Sequence, residues 1–366
     1  MCPEEELKLI ESLSEAKIKR ILTDPEKSAG AINLVYVNDR ETDGISRKKK
    51  GKKFAYFLQG LQIKDKEEID RINKLVIPPA WEEVWICSLQ NGHLQATGLD
   101  AVHRKQYKYH AAWSLLRNHT KFFRMRQFGE ALPALRLGLE KDLSIKSLEK
   151  RKVLAAVVSL MERTNIRVGN SVYERLYGSF GLTTLKDKHV KIDKTKLNFA
   201  FVGKKGVRHD IQLKSKKLAR IVSQCKEIPG KDLFQYYDDE GNRHGIDSGM
   251  VNEYIKELSG SDFTAKDFRT WAGTVNAFIA LKEIGLADDE SDVKHNIVSA
   301  LDTVAEHLGN TRTVCRKYYI HPSIISMYES RKIERYFKEL DKIEVDDGSA
   351  GLTADEKIIM KILSTH

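Results

Sequence analysis

Apolar positions fall into three regimes along the chain: a short helical lead, a strand-rich stretch, and a long remainder dominated by helical spacing. In residues 3–22, Pro3 and the run Glu4-Glu5-Glu6 precede Leu9, Ile10, Leu13 and Ala16 at helical intervals, which predicts a helix ended by Asp24-Pro25. Residues 33–38 (NLVYVN) read as a short strand, and 54–58 as an aromatic strand entered from a basic loop. Residues 65–75 carry a helical pattern with Asp65 and Glu68 as a cap pair, stopped by Pro78 and Pro79. Residues 81–88 and 93–98 flank Gln90-Asn91-Gly92, a hairpin signal.

From Ala111 helices dominate. The pattern predicts two or three of them over 111–143, with a turn near Pro133, and an amphipathic helix over 147–163 whose core face is Leu148, Val153, Leu154, Val157, Val158 and Leu160. The period then becomes alternating: 182–185, 189–193, 196–202 and 207–213 read as short antiparallel strands, the last two joined by Gly203-Lys204-Lys205-Gly206. Helical spacing resumes at 214–227, 254–258, 265–283 and 291–308, and a further helix starts after Pro322. The tail, EVDDGSAGLTADEKIIMKIL, reads as an acidic loop and a short helix that serves as a lid or packing element. The expected fold class is α+β: a helical extension (1–30), a small strand-rich domain (31–110), and a larger, mainly helical domain (111–366) containing a short antiparallel sheet.

Composition narrows the function. The 366 residues suffice for two domains, and the net charge of +10 favours a polyanionic partner, nucleic acid before membrane surface. No apolar run approaches the roughly 18 residues of a membrane span. The N-terminus lacks the basic-then-apolar order of a signal peptide. Cys2, Cys87, Cys225 and Cys315 form no Cys-x-x-Cys pair, so neither a zinc site nor a disulfide framework is expected, and the expected compartment is the reducing cytoplasm.

The candidate chemistry centres on 303–321, TVAEHLGNTRTVCRKYYIH. Gly309-Asn310 breaks an amphipathic helix, and a polar, basic loop then leads to Tyr318 and Tyr319. Tyrosine, with a pKa of roughly 10, is a poor nucleophile unless cations favour its phenolate. Arg312, Arg316 and Lys317 are near in sequence. Arg167 follows a helix end, Lys204 sits at a hairpin tip, Arg269 lies in the first turns of an apolar helix, and Asn310 stands at the break. Taken singly, each suits a structural role as well: an ion pair, a solvated charge, a cap. Basic and aromatic residues mix in SRKKKGKKFAYF, with Arg47, Lys48, Lys49, Lys50, Lys52 and Lys53, and in HRKQYKYH, with Arg104, Lys105, Gln106, Tyr107 and Tyr109. Such mixtures suit phosphates and base edges, and also solvated loops or a linker.

The joint pattern is more specific. GLDAVHRKQYKYH, TNIRVGNSVYERLYGSFGLTTLKDKHV, FVGKKGVRHDI, FTAKDFRTWAGT and LGNTRTVCRKYYIHP stand in one order over roughly 31–340. Together they make the chain resemble the small type IB DNA topoisomerases of poxviruses and bacteria, nearer the bacterial branch. The resemblance implies Arg167, Lys204, Arg269 and Asn310 as catalytic residues. It implies Tyr319 as the nucleophile, the last residue of Lys317-Tyr318-Tyr319 and nine positions after Asn310. The residue before the nucleophile is small in the family and is Tyr318 here, so Tyr318 stands as the competing assignment.

The resemblance further implies a monomer whose two domains clamp duplex DNA. The expected contacts are Arg47, Lys48, Lys49, Lys50, Arg104, Lys105, Gln106, Tyr107, Tyr109 and Tyr173. The expected setting is nucleoid-associated, with no membrane partner. No metal-ligand cluster or Walker-type loop accompanies the motifs, so neither metal, ATP nor any other cofactor is expected. A tyrosine recombinase is the nearest alternative, but its usual His-x-x-Arg is replaced by Lys266-Asp267-Phe268-Arg269. A non-catalytic DNA-binding protein on the same scaffold would have lost one of the five residues, and all are present.

Overall fold

Asp24-Pro25, expected only to end a helix, separates α1 (Glu15–Leu22) from a second helix, α2 (Pro25–Gly30). The Asp24 carboxylate caps α2, accepting from the amides of Glu26 at 3.0 Å and Lys27 at 3.1 Å. The computed structural model describes residues 9–10, 13, 15–22, 24–51, 53–101, 103, 105–287, 289–343 and 350–365. The chain divides into two compact units, Met1–Phe123 and Arg124–His366.

The first unit is built on an antiparallel sheet: β1 (Gly44–Lys50), β2 (Lys53–Leu58), β3 (Leu61–Gln62), then helix α3 (Lys66–Lys74), β4 (Glu82–Cys87), β5 (Leu94–Leu99) and β6 (Lys105–Tyr109). The spatial order is β3-β2-β1-β4-β5-β6, which leaves β6 on an edge. The basic run is therefore not a loop. Lys48, Lys49 and Lys50 pair with Ala55, Phe54 and Lys53 across a hairpin. The stretch expected as strand 33–38 makes only one bridge, Val35 to Gly92, because the next free amide, that of Val37, donates to the His93 ring at 3.0 Å. Ile45, Ile72, Val84, Ile86 and Ala96 form the core under the sheet. A second cluster joins Ile10, Leu13, Ile18 and Ile21 to Ala112, Trp113 and Leu116, so the helical lead packs on the start of α4 (Ala111–Leu143).

Helix α4 (Ala111–Leu143) begins in the first unit and ends in the second. It runs unbroken through Pro133, where a turn was expected. Proline removes one amide and crowds the carbonyl of the residue four before it, here Gly129. Burial of Phe128, Leu132, Leu135 and Leu139 on one face outweighs that cost.

The second unit follows with α5 (Lys150–Thr164), α6 (Ser171–Tyr177), the antiparallel sheet β7 (Val190–Asp193), β8 (Lys196–Val202) and β9 (Arg208–Lys214), and α7 (Lys216–Glu227). A small pair, β10 (Gln235–Tyr237) and β11 (Arg243–Gly245), precedes α8 (Ser248–Ser259), α9 (Ala265–Ile284) and α10 (Glu290–Leu308). The basic loop expected after Asn310 is a short helix, α11 (Arg312–Tyr318), capped by the Thr311 hydroxyl. The last helices are α12 (Pro322–Glu329), α13 (Glu334–Leu340) and α14 (Ala354–Thr365). The strand expected at 182–185 is a 3-10 turn, Leu182–Thr184, because the amides of Leu182 and Thr183 donate to the Arg167 and Val168 carbonyls at 2.9 and 2.7 Å.

The C-terminal helix is a packing element. Ile358, Ile359 and Ile362 of α14 are fully buried. Glu356 accepts two bonds of 2.8 Å from Arg136 and one of 2.9 Å from Trp271 of α9. Burial alone would raise its carboxyl, but the Arg136 guanidinium, with Trp271 and the Thr353 amide, outweighs burial and holds it below the usual 4.5. A depressed folded pKa adds stability that is present above the unfolded value and lost as pH falls through the folded one. Glu356→Gln should therefore cost about 3 kcal/mol at neutral pH. In urea unfolding, the gap between wild type and variant should shrink on acidification below 4.5.

Candidate active site

Four of the sequence-predicted residues meet where two helices end. Asn165, in the left-handed region at φ 55°, terminates α5 and turns the chain so that Arg167 leaves the helix axis. The extended segment is then clamped against 181–183: a Cβ on Gly181 would lie 2.6 Å from the Arg167 carbonyl oxygen and from the Gly169 nitrogen, so only glycine fits. Gly309, at φ 57°, ends α10 in the same way and presents Asn310.

The guanidinium groups close the gap between these ends. Arg269, on α9 and only 6% exposed, donates to the Asn165 carbonyl and, at 2.7 Å, to the Leu308 carbonyl. Arg167 donates to the Gly309 carbonyl at 2.9 Å and to Asn310 Oδ1 at 2.6 Å. Among the described residues neither arginine bonds or pairs with a carboxylate. Burial first, and the Arg269 charge second, bring the Arg167 guanidinium down to about 10, still a cation at neutral pH. Burial lowers Arg269 too, partly offset by Tyr319. The Nε of Arg269 and Nδ2 of Asn310 are buried donors without a hydrogen-bond partner among the described residues.

Tyr319 stands at the end of α11, half-buried, with its ring centre 5.2 Å from the Arg269 guanidinium. Its backbone is pressed onto α9. A Cβ on Gly273 would lie 2.6 Å from the Tyr319 carbonyl oxygen. The Thr274 hydroxyl donates to that oxygen at 3.3 Å and accepts from the His321 amide at 3.0 Å. Tyr318 is 38% exposed, beneath the Lys317 ammonium rather than the arginines. Arg312, counted from sequence as part of the positive neighbourhood, is instead held by Asp302 through two bonds of 2.7 Å.

Lys204 is not packed into this group. It lies exposed at the β8–β9 turn, with its ammonium 5.2 Å from the centre of the Tyr173 ring. Two neighbours gave no signal in the sequence. Cys315 is buried in α11, where burial pushes its thiol up to about 11 despite Arg269 and Arg167. His209, on β9, stacks on Phe201 at 4.9 Å, and burial, then Arg167 and Arg269, hold its imidazole below the usual 6.5.

The expected DNA contacts, in the other unit apart from Tyr173, divide by their partners. Arg47 is committed internally: it donates to the carbonyls of Ile77, Pro78 and Trp81 and lies over Phe54. Lys48, Lys49 and Lys50 are exposed. On β6, Lys105, Tyr107 and Tyr109 share the exposed face, but Lys105 is paired with Asp39 at 2.6 Å. Gln106 donates to Asp100 at 2.9 Å. Arg104 and Lys52 lie outside the described residues. No trio of His, Cys, Asp or Glu among the described residues is placed to hold a metal ion, and no described helix is long and apolar enough to cross a membrane.

Residues 105–346 match the family model for the eukaryotic DNA topoisomerase I catalytic core, and residues 53–100 that for the bacterial DNA topoisomerase IB N-terminal domain. The chain is similar to DNA topoisomerase 1B of Acanthamoeba polyphaga mimivirus, 31% identical over 296 residues, which cover 79% of this chain and 88% of that protein. It is also similar to DNA topoisomerase 1B of vaccinia virus (strain Copenhagen), 23% identical over 256 residues, 69% of this chain and 77% of that one. Monkeypox virus DNA topoisomerase I is 22% identical over the same coverage.

At Gly273 the usual sign of a substitution should reverse. Alanine for glycine inside a helix ordinarily stabilises by roughly 0.5–1 kcal/mol. Here the added Cβ must displace the Tyr319 backbone, so Gly273→Ala should destabilise by about 1–3 kcal/mol in urea unfolding.

Proposed function

The chain belongs to the type IB DNA topoisomerases, DNA-acting isomerases of the small viral and bacterial kind, and on that premise we propose that it cuts one strand of duplex DNA through Tyr319. The Tyr319 oxygen attacks a backbone phosphorus, an O–P bond forms, and the bond to the 5′-oxygen breaks. The 3′ end stays on the enzyme as a phosphotyrosyl ester while the duplex swivels, and the 5′-hydroxyl then reverses the step. The ester conserves the bond energy, so the cycle runs without ATP or metal and relaxes supercoils of either sign.

The observation that carries this reading is the pair of arginines beside Tyr319 with no carboxylate among the described residues to neutralise them. In-line attack builds extra negative charge on the non-bridging oxygens. One cation about 4 Å away contributes about 4 kcal/mol at an effective dielectric near 20. Planar guanidinium groups offer paired donors that lysine cannot copy, and the free donors of Arg269 Nε and Asn310 Nδ2 suit the same oxygens. Lys204, on a turn at the end of β8, is the general acid that protonates the leaving 5′-oxygen. Tyr319 is favoured over Tyr318 as the nucleophile because it alone faces Arg269.

The strand-rich unit grips the duplex through phosphates, with Lys48, Lys49 and Lys50 and the exposed rings of Tyr107 and Tyr109 meeting the DNA.

Supercoiled plasmid incubated with the protein in EDTA, without nucleotide, should be relaxed whether it is positively or negatively supercoiled; a strict need for Mg²⁺ or ATP would overturn the reading. Replacing Lys48, Lys49 and Lys50 by glutamine should weaken binding and flatten its salt dependence by about 0.9 in log–log slope for each phosphate no longer neutralised. Fluorescence anisotropy across a salt series measures this, and an unchanged slope would make those lysines solvated surface.

A further inference from the structure

Two glycines, Gly203 at the end of β8 before Lys204 and Gly309 at the end of α10 before Asn310, face the same side chain. A Cβ on Gly203 would lie 2.6 Å from Nε2 of His209, and one on Gly309 would lie 2.6 Å from its Cε1. The imidazole therefore fills the space between the two backbones. Its cross-strand partner Phe201 stacks against it, with the rings 4.9 Å apart and 23° from parallel. Among the described residues the backbone hydrogen bonds within the turn bearing Lys204 stay in the hairpin: the Gly203 amide donates to the Val207 carbonyl at 2.7 Å and the Gly206 amide to the Gly203 carbonyl at 3.1 Å. Its other ties are to the Arg167 side of the fold, where the Phe180 amide donates to the Val202 carbonyl at 2.8 Å and the Tyr173 ring lies 5.2 Å from the Lys204 ammonium. Among the described residues no hydrogen bond joins 203–207 to 309–312. Across the ring stands Gly309, whose carbonyl accepts from Arg167 and whose neighbour Asn310 accepts from the same group.

We propose that His209 is a positioning residue: its ring is the spacer that sets the Lys204 turn against the Arg167–Asn310 pair, and so aims the general acid at the leaving oxygen. The inference rests on the reading of Lys204 as that acid. The ring acts by shape, its edge set against the two glycines and its face stacked on Phe201, and it donates no proton itself. Removing it leaves a gap that the turn can wander into, while the arginines keep their helix-end carbonyls.

The test compares single-turnover cleavage of an ordinary substrate with one whose 5′-bridging oxygen is sulfur, since a thiolate leaves without a proton. His209→Ala should be slowed on the order of tenfold to a hundredfold with oxygen, the scale of a misplaced catalytic group. With sulfur it should return close to wild type. Arg269→Ala should stay slow on both. A His209→Ala variant equally slow on both substrates would overturn the inference, because its role would then be general packing. Lys204→Ala run beside it separates the two claims: if sulfur fails to rescue Lys204→Ala, the acid assignment fails and the inference goes with it. Gly203→Ala guards against a folding defect. Its φ of −93° accepts alanine, and its Cβ can be accommodated only by moving the ring. It should show the same sulfur-sensitive defect, and wild-type rates on both substrates would count against the spacer.

Discussion

A guanidinium taken out of water without a carboxylate is a costly thing to hold, and the second unit holds Arg269 buried and Arg167 half-buried with no carboxylate partner among the described residues. An ion taken from water loses several kcal/mol even after relaxation. Arg269 and Arg167 recover part of that from the carbonyls of Asn165, Leu308 and Gly309, the groups left unpaired where α5 and α10 end. Each helix C-terminus carries roughly half a negative charge. Carbonyl dipoles of that size hold a cation in place without cancelling it. An acid would have held the arginines more tightly and left nothing for an anionic phosphate. The rest of the unit can be understood as the means of bringing two helix C-termini together and delivering a tyrosine to them.

That delivery depends on close backbone approach. Gly181 lets the Leu182–Thr184 turn clamp the Arg167 segment, and Gly273 lets α9 touch the Tyr319 carbonyl. Arg269 lies one turn before Gly273 on the same helix, so α9 sets both the cation and the backbone of the tyrosine. The far side of α9 is anchored through Trp271 to Glu356 and Arg136, which gives the C-terminal helix a part in holding the site although none of its residues reaches the chemistry. His209 links the remaining piece, the Lys204 turn, by the touch of a ring on two glycines.

Much of the fold was legible because apolar spacing is local. It located α5, α7, α9 and α10, the hairpin of β4 and β5, and β8 and β9 to within a few residues. It failed where a distant partner decided the outcome. Pro133 passes through α4 because the helix face is buried, and 182–184 is a 3-10 turn because its amides are taken by Arg167 and Val168. The α+β class, read from the spacing, and the family, read from the motifs, are borne out by the matches. The site was legible only through the joint pattern, since Arg167, Arg269 and Asn310 each looked like an ordinary structural residue when read alone. Local spacing also could not show that Arg47 spends its donors on three carbonyls or that Lys105 is paired with Asp39, because those partners lie far along the chain. His209 carried no signal because what defines it is the space between two glycines a hundred or so positions apart.

The central claim is that the helix-end arginines select Tyr319, not its neighbour, as the attacking group. Adjacent side chains on a regular backbone cannot point the same way, so only one of Tyr318 and Tyr319 can be aimed at the phosphate. The direct measurement is peptide mapping of the covalent adduct formed on a labelled suicide substrate, run for wild type, Tyr318→Phe and Tyr319→Phe with non-covalent binding measured in parallel. The account predicts an adduct on Tyr319 in wild type and in Tyr318→Phe, and none in Tyr319→Phe although DNA still binds. An adduct on Tyr318, or one that survives in Tyr319→Phe, would contradict it.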